Sequence, residues 1–311
     1  MMDLTDYEPL RHVLFADDFD TGYNGWIALN PNFRQDAFAY YPQMKGWTEW
    51  GPPMLSSSTY TYAGTHGSLH GTYSMKVASR PIAAPAQERP VAGSMGMAIK
   101  RITHRHEGLL KCEMWYAITA EQDRPGIGEN AIRAFGFFWD SQNETNRTYY
   151  GARYINCANG KMRQHWQIFR ADPASTKPWG YEGVSAPGDK DEQVTLLRGV
   201  DTQWLGNRDE QGGSDGYWDV PDSTQKMCYN ETPDKINWQY FALTVDMRKK
   251  EYVELCSMNR RWDLRGIAAT TNPRFPRIDN LLNPVVFIES DTNRRVFLSV
   301  DSMVNSMDWE D

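Results

Sequence analysis

Four acidic side chains stand where strands could hold a catalytic carboxyl group. Glu113 lies within KCEMWYAI, Glu289 ends VVFIE, Asp140 ends AFGFFWD and Glu231 lies in CYNETP. Hydrolysis of a glycosidic bond generally needs two carboxyl groups, one acting as acid and one as base or nucleophile. Glu113 and Glu289 form the first candidate pair because both are expected on rigid core strands. Asp140 is the third catalytic candidate, although it and Glu231 could instead begin or cap turns.

Polar and aromatic side chains share faces of the same predicted strands, since residues two apart in a strand point to one side. On this basis the candidate substrate-binding residues are Trp115, Arg133, Tyr149, Arg153 and His165. Aromatic rings and long polar side chains on one sheet face could grip a sugar. The alternative is a purely structural salt-bridge network of Glu113, Arg133, Arg153 and Glu289, because a lone charge in an apolar strand needs a partner.

Two other chemistries remain open or weak. A polysaccharide lyase needs a base and a cation that neutralises the uronate carboxylate, a set that could come from Tyr149, Tyr150, Arg153 and His165. The HRH motif offers His104 and His106 as two metal ligands, with no third ligand implied. No glycine-rich loop ends in GK[ST] and no GxSxG motif occurs, so nucleotide binding and serine-nucleophile chemistry lack their signatures.

Composition limits the binding partners and the cellular location that we expect for the protein. The chain has 311 residues, a net charge of −7 and no run rich in lysine and arginine, so nucleic acid and anionic membranes are poor partners. No apolar stretch is long enough to cross a bilayer. The beginning of the chain lacks the pattern of an export signal, which favours a cytoplasmic location. The four cysteines form no CxxC pair and are expected to be reduced, buried thiols.

Alternating apolar and polar residues recur along the chain and predict strands. The segments are 111–118, 131–140, 148–156, 163–169, 237–247, 251–259, 283–290 and 295–302, most of them bounded by Gly, Pro, Asn or Asp. Long amphipathic helices are absent, so the pattern predicts an all-β, antiparallel two-sheet sandwich. We expect one domain over residues 1–311, with long loop insertions at about 27–66 and 171–225.

Three segments together carry a resemblance to a known superfamily. They are DDFDTGYNGW (17–26), GTYSMKVASRP (71–81) and FLSVDSMV (297–304). Their order resembles concanavalin-A-like, carbohydrate-active jelly rolls, and more narrowly an uncharacterised bacterial β-sandwich family. The resemblance implies that the first and last strands are neighbours. Laminarinase-type members carry Glu-x-Asp-x-x-Glu on one strand, and this chain has no such run.

The same resemblance implies a structural calcium ion between the first and last strands. Asp18, Asp20 and Asp301 match the motif positions, and carboxylates are typical calcium ligands. The alternative is that Asp18 and Asp20 accept backbone hydrogen bonds in turns. No other cofactor is expected.

These observations together predict a carbohydrate-active protein, foremost an intracellular glycoside hydrolase acting on oligosaccharides or glycosides. The alternatives are a non-catalytic carbohydrate-binding protein and a polysaccharide lyase. A homo-oligomer is also possible if the loops leave an apolar face uncovered.

Overall fold

A computed structural model describes residues 2–28, 54–57, 68–79, 95–120, 128–158, 160–170, 217–227, 237–274, 280–292 and 294–309. Its strands, in chain order, are β1 (His12–Asp17), β2 (Trp26–Ala28), β3 (Met54–Ser57), β4 (Tyr73–Ala78), β5 (Met95–Lys100), β6 (Ile102–Thr103), β7 (Leu109–Ala120), β8 (Ile132–Gln142), β9 (Asn146–Ala158), β10 (Lys161–Phe169), β11 (Tyr217–Asp219), β12 (Gln239–Asp246), β13 (Glu251–Ser257), β14 (Arg260–Asp263), β15 (Thr270–Pro273), β16 (Leu281–Ser290) and β17 (Val296–Asp308). A single 3-10 turn over Glu129–Ala131 is the one helical element of these ranges, and none of their helices is long and apolar enough to cross a membrane.

The strands form two antiparallel sheets. The eight-stranded sheet has the order β14-β13-β12-β7-β17-β4-β3, with β1 pairing β17. The nine-stranded sheet has the order β11-β10-β9-β8-β16-β5-β2, with β15 on β9 and β6 on β16. The predicted all-β antiparallel sandwich is therefore confirmed. Each of the eight predicted segments contributes a strand because alternation and β-branched or aromatic residues mark them clearly.

One face of each sheet packs into the core between the sheets. On β7, Cys112, Met114 and Tyr116 are fully buried in this core, so the intervening Lys111, Glu113 and Trp115 point to the outer face. On β8 and β9, the core side chains include Phe135, Phe137, Trp139, Tyr150 and Tyr154. The outer face of the nine-stranded sheet therefore carries the side chains between them.

The two ends of the described chain meet, as the resemblance implies. β1 pairs with β17 from His12 opposite Met307 to Asp17 opposite Met303. Before β1, the N-terminal segment (residues 2–11) lies over the outer face of the eight-stranded sheet. The Leu10 amide donates to Ser306 Oγ at 2.9 Å, and the Tyr7 hydroxyl hydrogen-bonds Ser302.

Most of the two predicted insertions, 27–66 and 171–225, lies outside the described residues. Within them the structure describes β3 and β11, which pair with β4 and β10 respectively. Both short strands lie at a free edge of their sheet in the described topology. Each insertion thus contributes at least one edge strand.

Trp309 closes the end of the sandwich between two histidines. Its ring stacks on His12 at 3.7 Å and on His106 at 4.5 Å between centroids, and His104 lies 5.3 Å away. The HRH motif therefore packs against an aromatic ring. No group of three His, Cys, Asp or Glu side chains that could hold a metal ion occurs among the residues described.

This histidine cluster predicts an acid-sensitive stability. Burial, reinforced by the nearby His106, lowers the pKa of His104. An unfolded histidine titrates near pH 6.5, so the unfolded chain binds this proton first and the free energy of unfolding should fall as the pH drops below about 6.5. A His104→Asn variant should show a shallower fall than wild type in urea titrations between about pH 7 and pH 5. Identical slopes would contradict the assignment.

Candidate functional site

Glu113 and Glu289 lie on opposite outer faces of the sandwich. Glu113 belongs to β7 of the eight-stranded sheet and Glu289 to β16 of the nine-stranded sheet. Their neighbours Cys112, Met114 and Ile288 all point into the core between the sheets, so each glutamate points away from it. The prediction that these two acids form a catalytic pair is therefore wrong, because the whole core separates them.

Glu113 is held under the N-terminal segment. Its Oε1 accepts hydrogen bonds from the Glu8 amide at 2.8 Å and the Tyr240 hydroxyl at 2.6 Å, and Lys111 Nζ lies 3.1 Å away. The side chain is fully buried, and no described residue forms a hydrogen bond with Oε2. Burial and the contact with Glu113 raise the pKa of Tyr240 well above its usual value, so Tyr240 stays a donor.

Glu289 belongs to a buried ionic cluster with Arg133 and Asp291. Arg133 Nε lies 3.1 Å from Glu289 Oε1, and Arg133 Nη1 lies 3.1 Å from Asp291 Oδ1. The three side chains are at most 2% exposed. Asp291 Oδ2 also accepts the Gly160 amide at 2.8 Å, which ties the β9–β10 turn to the end of β16. The structural salt-bridge alternative is thus realised by Arg133 and Glu289, whereas Glu113 pairs with Lys111 instead.

Asp140 forms a two-pronged ion pair near the end of β8. Its Oδ1 accepts from Arg147 Nε at 2.7 Å, and its Oδ2 contacts Arg147 Nη2 across the β8–β9 hairpin. Both oxygens are therefore engaged by one guanidinium. Glu231 lies outside the described residues.

A connected row of polar side chains crosses β9, β10 and β11 on the outer face of the nine-stranded sheet. Cross-strand pairing places Gln167 opposite both Arg153 and Asp219. Arg153 Nε donates to Gln167 Oε1 at 2.7 Å, and Gln167 Nε2 donates to Asp219 Oδ1 at 2.7 Å. His165 Nε2 reaches the same Asp219 oxygen at 2.8 Å. We call Arg153, His165, Gln167 and Asp219 the polar row.

The polar row runs from the interior of the sheet to its surface. Arg153 is 1% exposed, and its guanidinium stacks on the Tyr217 ring at 3.9 Å. The Asp219 side chain, at the other end, is 44% exposed. Burial acts to raise the pKa of Asp219, but the contacts with His165 and Gln167 outweigh it and the pKa is lowered. The row therefore presents a carboxylate and an imidazole at the β10–β11 edge, backed by a buried cation.

The remaining sequence candidates divide between the two outer faces. Tyr149 lies on the same face as Arg153 but four residues away along β9, about 13 Å at the usual rise of a strand. Tyr150 lies in the core, where its ring packs edge-on to Tyr252, so the proposed lyase set cannot include it. Trp115 lies on the outer face of the other sheet, beside Tyr240. Of the predicted residues, the structure brings Arg133 into contact with Glu289 and connects Arg153 to His165 through Gln167 and Asp219.

Gly136 makes room for the polar row. It lies opposite both Arg153 on β9 and Phe287 on β16. A Cβ atom at this position would lie 2.3 Å from the Ala152 carbonyl oxygen and 2.8 Å from Arg153 Cα. Only glycine therefore allows β8 and β9 to approach here with Arg153 in place.

The aspartates proposed to bind calcium are occupied by hydrogen-bond donors. Asp301 accepts from Ser68 Oγ and from the Leu69 amide at 2.7 Å, and Asp20 accepts the amides of Thr72 and Tyr73 at 2.7 and 2.8 Å. Asp18 accepts the Asp20 amide at 3.2 Å. Burial raises the pKa of Asp301. N–H groups aimed at these oxygens suit a carboxylate that organises a loop, so this donor set fits a calcium ion poorly.

The sequence alone does not indicate Asp219 and Tyr217 as site residues, because they fall inside the predicted insertion 171–225. The three-residue strand YWD follows DG and precedes a proline, which masks its alternation. The usable signal was the same-face spacing of Tyr217 and Asp219, next to a tryptophan. Tyr240 lies in the predicted strand 237–247, but its sequence position alone does not indicate a functional role.

The chain belongs to a family of unknown function. The family described as "Domain of unknown function (DUF6772)" matches residues 1–309. No significant match exists among curated protein sequences.

Solved structures of similar arrangement share little sequence with the chain. The Bacillus licheniformis β-glucanase is 8% identical, with a TM-score of 0.39 over 94% of this chain and 98% of that chain. An alginate lyase, Aly36B, in complex with alginate tetrasaccharide is 10% identical, with a TM-score of 0.39 over 92% and 98%. The winged bean acidic lectin is 11% identical, with a TM-score of 0.35 over 76% and 87%.

Proposed function

We propose that this protein is carbohydrate-active and that the glycan binds the outer face of the nine-stranded sheet at the polar row. The observation that carries the proposal is the side-chain chain Arg153–Gln167–Asp219–His165, which crosses three strands and ends at a half-exposed carboxylate. Charged groups on rigid strands cost free energy to bury, and such positioned groups mark functional sites. Sugar hydroxyls can donate hydrogen bonds to the exposed Asp219 carboxylate.

The reaction that best matches these groups is elimination on a uronate-containing polysaccharide. Hydrolysis would need two free carboxyl groups on one face. Among the described acids of this face, Glu289 and Asp291 share Arg133, and Asp140 is engaged by Arg147. The proton-transfer pair nearest the surface of this face is instead an imidazole and a carboxylate, His165 and Asp219, whose side chains are 12% and 44% exposed.

Each group of the polar row has a role in this proposal. Asp219 orients the His165 ring through Nε2. His165 exchanges a proton with the sugar through Nδ1, once the sugar has displaced the Arg163 carbonyl oxygen that lies 3.1 Å from Nδ1. Arg153 is a positioning residue, whose buried positive charge favours the negative charge that develops on a uronate. Gln167 fixes the distance between Arg153 and Asp219.

The test is incubation with a panel of neutral and uronate-containing polysaccharides. Elimination creates both a new reducing end and an ultraviolet-absorbing double bond conjugated with the carboxylate, whereas hydrolysis creates the reducing end alone. We expect both signals, and we expect His165→Asn to lower kcat/KM about a hundredfold or more. His106→Asn, an exposed histidine away from the row, is the matched control and should retain wild-type turnover.

Other results of this panel would redirect the assignment. Reducing ends without the double bond would replace elimination by hydrolysis. Binding without any cleavage would leave a non-catalytic carbohydrate-binding protein. Equal turnover of the His165→Asn and His106→Asn variants would remove the polar row from the reaction.

A further inference from the structure

A groove crosses the outer face of the eight-stranded sheet, on the side of the sandwich opposite the polar row. The N-terminal segment covers one part of this face and leaves the part beyond it open. Two adjoining cavities of about 360 and 650 Å³ lie there, and both are lined by Asp6, Trp115 and Met258. Trp115 therefore lies in the middle of one continuous groove.

The groove has an aromatic wall with a polar rim. Trp115 on β7 is paired across the strands with Tyr240 on β12, and the two ring centroids are 5.4 Å apart. Both rings are partly exposed. Arg261 and Glu8, which form an ion pair at 3.1 Å, line the smaller cavity. An aromatic surface bordered by a few polar groups is the usual construction of a small-molecule site.

Two buried polar atoms beside this aromatic wall have no hydrogen-bond partner among the residues that the structure describes. They are Trp115 Nε1, a donor, and Glu113 Oε2, an acceptor. A buried group without a partner costs about 1–3 kcal/mol and calls for an explanation such as a bound ligand or water. Glu113 itself lies under Tyr240, whose hydroxyl donates to its other oxygen. A ligand rich in hydroxyl groups can supply both the missing acceptor and the missing donor.

We infer that this groove is a second carbohydrate site, which binds a short neutral oligosaccharide by stacking a sugar ring on Trp115. The ligand is neutral because the charged side chains that line the two cavities offset one another: Asp6 and Glu8 carry negative charge, and Lys226 and Arg261 carry positive charge. The site is independent of the reaction proposed for the polar row.

Calorimetric titration of the full chain with maltotetraose, cellotetraose, xylotetraose and laminaritetraose tests this inference. We expect at least one tetrasaccharide to bind, and Trp115→Ala to weaken that binding about tenfold or more. Trp218→Ala, an exposed tryptophan beside the polar row, is the matched control and should bind as wild type does. Tyr240→Phe keeps the ring and removes the hydroxyl, and should weaken binding less than Trp115→Ala.

Circular dichroism of each variant separates loss of binding from loss of fold, and Trp115→Phe retains a stacking ring if the alanine variant unfolds. With Trp115→Phe, binding should persist at reduced affinity. No binding of any tetrasaccharide by wild type would overturn the inference, as would equal affinities for Trp115→Ala and wild type. Loss in Trp218→Ala alone would assign the sugar to the other face. His165→Asn should leave tetrasaccharide binding in the groove unchanged. The proposal for the groove and the proposal for the polar row can therefore be refuted independently.

Discussion

Replacing Arg133 by methionine is expected to lower the free energy of unfolding by about 3–5 kcal/mol. Methionine keeps much of the side-chain length but removes the positive charge that two buried carboxylates, Glu289 and Asp291, both contact at 3.1 Å. Breaking a buried pair from one side leaves charges that the surrounding protein solvates poorly. Urea titration monitored by circular dichroism measures the change.

The control for this prediction is Arg265→Met. Arg265 pairs with Asp263 at 2.7 Å, but both side chains are more than half exposed, so its loss should leave the free energy of unfolding close to that of wild type. If the Arg133 variant lost no more stability than the Arg265 variant, the ionic cluster would not be a stabilising element. A Glu289→Gln change combined with Arg133→Met should then also show no coupling, whereas we expect a clear one.

Replacing Gly136 by alanine is expected to lower the free energy of unfolding by about 3 kcal/mol and to reduce glycan turnover together with it. The added Cβ atom would lie 2.3 Å from the Ala152 carbonyl oxygen and 2.8 Å from Arg153 Cα. These are backbone atoms that cannot rotate away, so β8 and β9 must separate. That displacement moves Arg153, and with it Gln167 and Asp219.

Gly151→Ala is the matched control on the neighbouring strand. Its Cβ atom would lie 2.9 Å from Phe138 Cβ and 3.4 Å from Phe169 Cβ, so its nearest contact is longer than the 2.3 Å contact at Gly136 and needs a smaller shift. We expect a smaller loss of stability, about 1 kcal/mol. If the melting temperatures of the two variants fell equally, the close approach of β8 and β9 at Gly136 would not be special.

The strands could be predicted because their signal is local. The segment 111–118 places Cys112, Met114, Tyr116 and Ile118 on one face, and the structure extends it to the twelve residues of β7. The segment 295–302 similarly becomes the first part of the thirteen-residue β17. The pairing of first and last strands came from a resemblance, and the register of β1 on β17 confirms it.

The site could be predicted only in part because it depends on which strands share a sheet. Alternation places Glu113 on the face of its strand opposite to Cys112 and Met114, and Glu289 ends the apolar run VVFI. Alternation carries no information on whether the two outer faces are the same. β7 and β16 belong to different sheets, so the two acids lie on opposite sides of the core. The same spacing argument predicts Arg153 and His165 as substrate-binding residues. They lie on one face of one sheet because β9 and β10 are hairpin neighbours.

The edge strand β11 shows a second limit. Three residues between glycine-rich and proline-containing segments carry too little periodicity to be distinguished from a loop. Asp219 nevertheless forms hydrogen bonds with both His165 and Gln167, and the Arg153 guanidinium stacks on the Tyr217 ring. Only the pairing of β11 with β10 in the folded structure places these residues beside Gln167 and Arg153.

Hydrogen exchange measured with and without a bound uronate hexasaccharide tests the central proposal most directly, because it locates the glycan on one face of the sandwich. Backbone amides that a ligand protects exchange more slowly. We expect slowed exchange in peptides from β9, β10 and β11, around Arg153, His165 and Asp219, and loss of that protection in His165→Asn. Protection confined to β7 and β12, or no protection in any peptide at saturating hexasaccharide, would contradict a glycan site at the polar row.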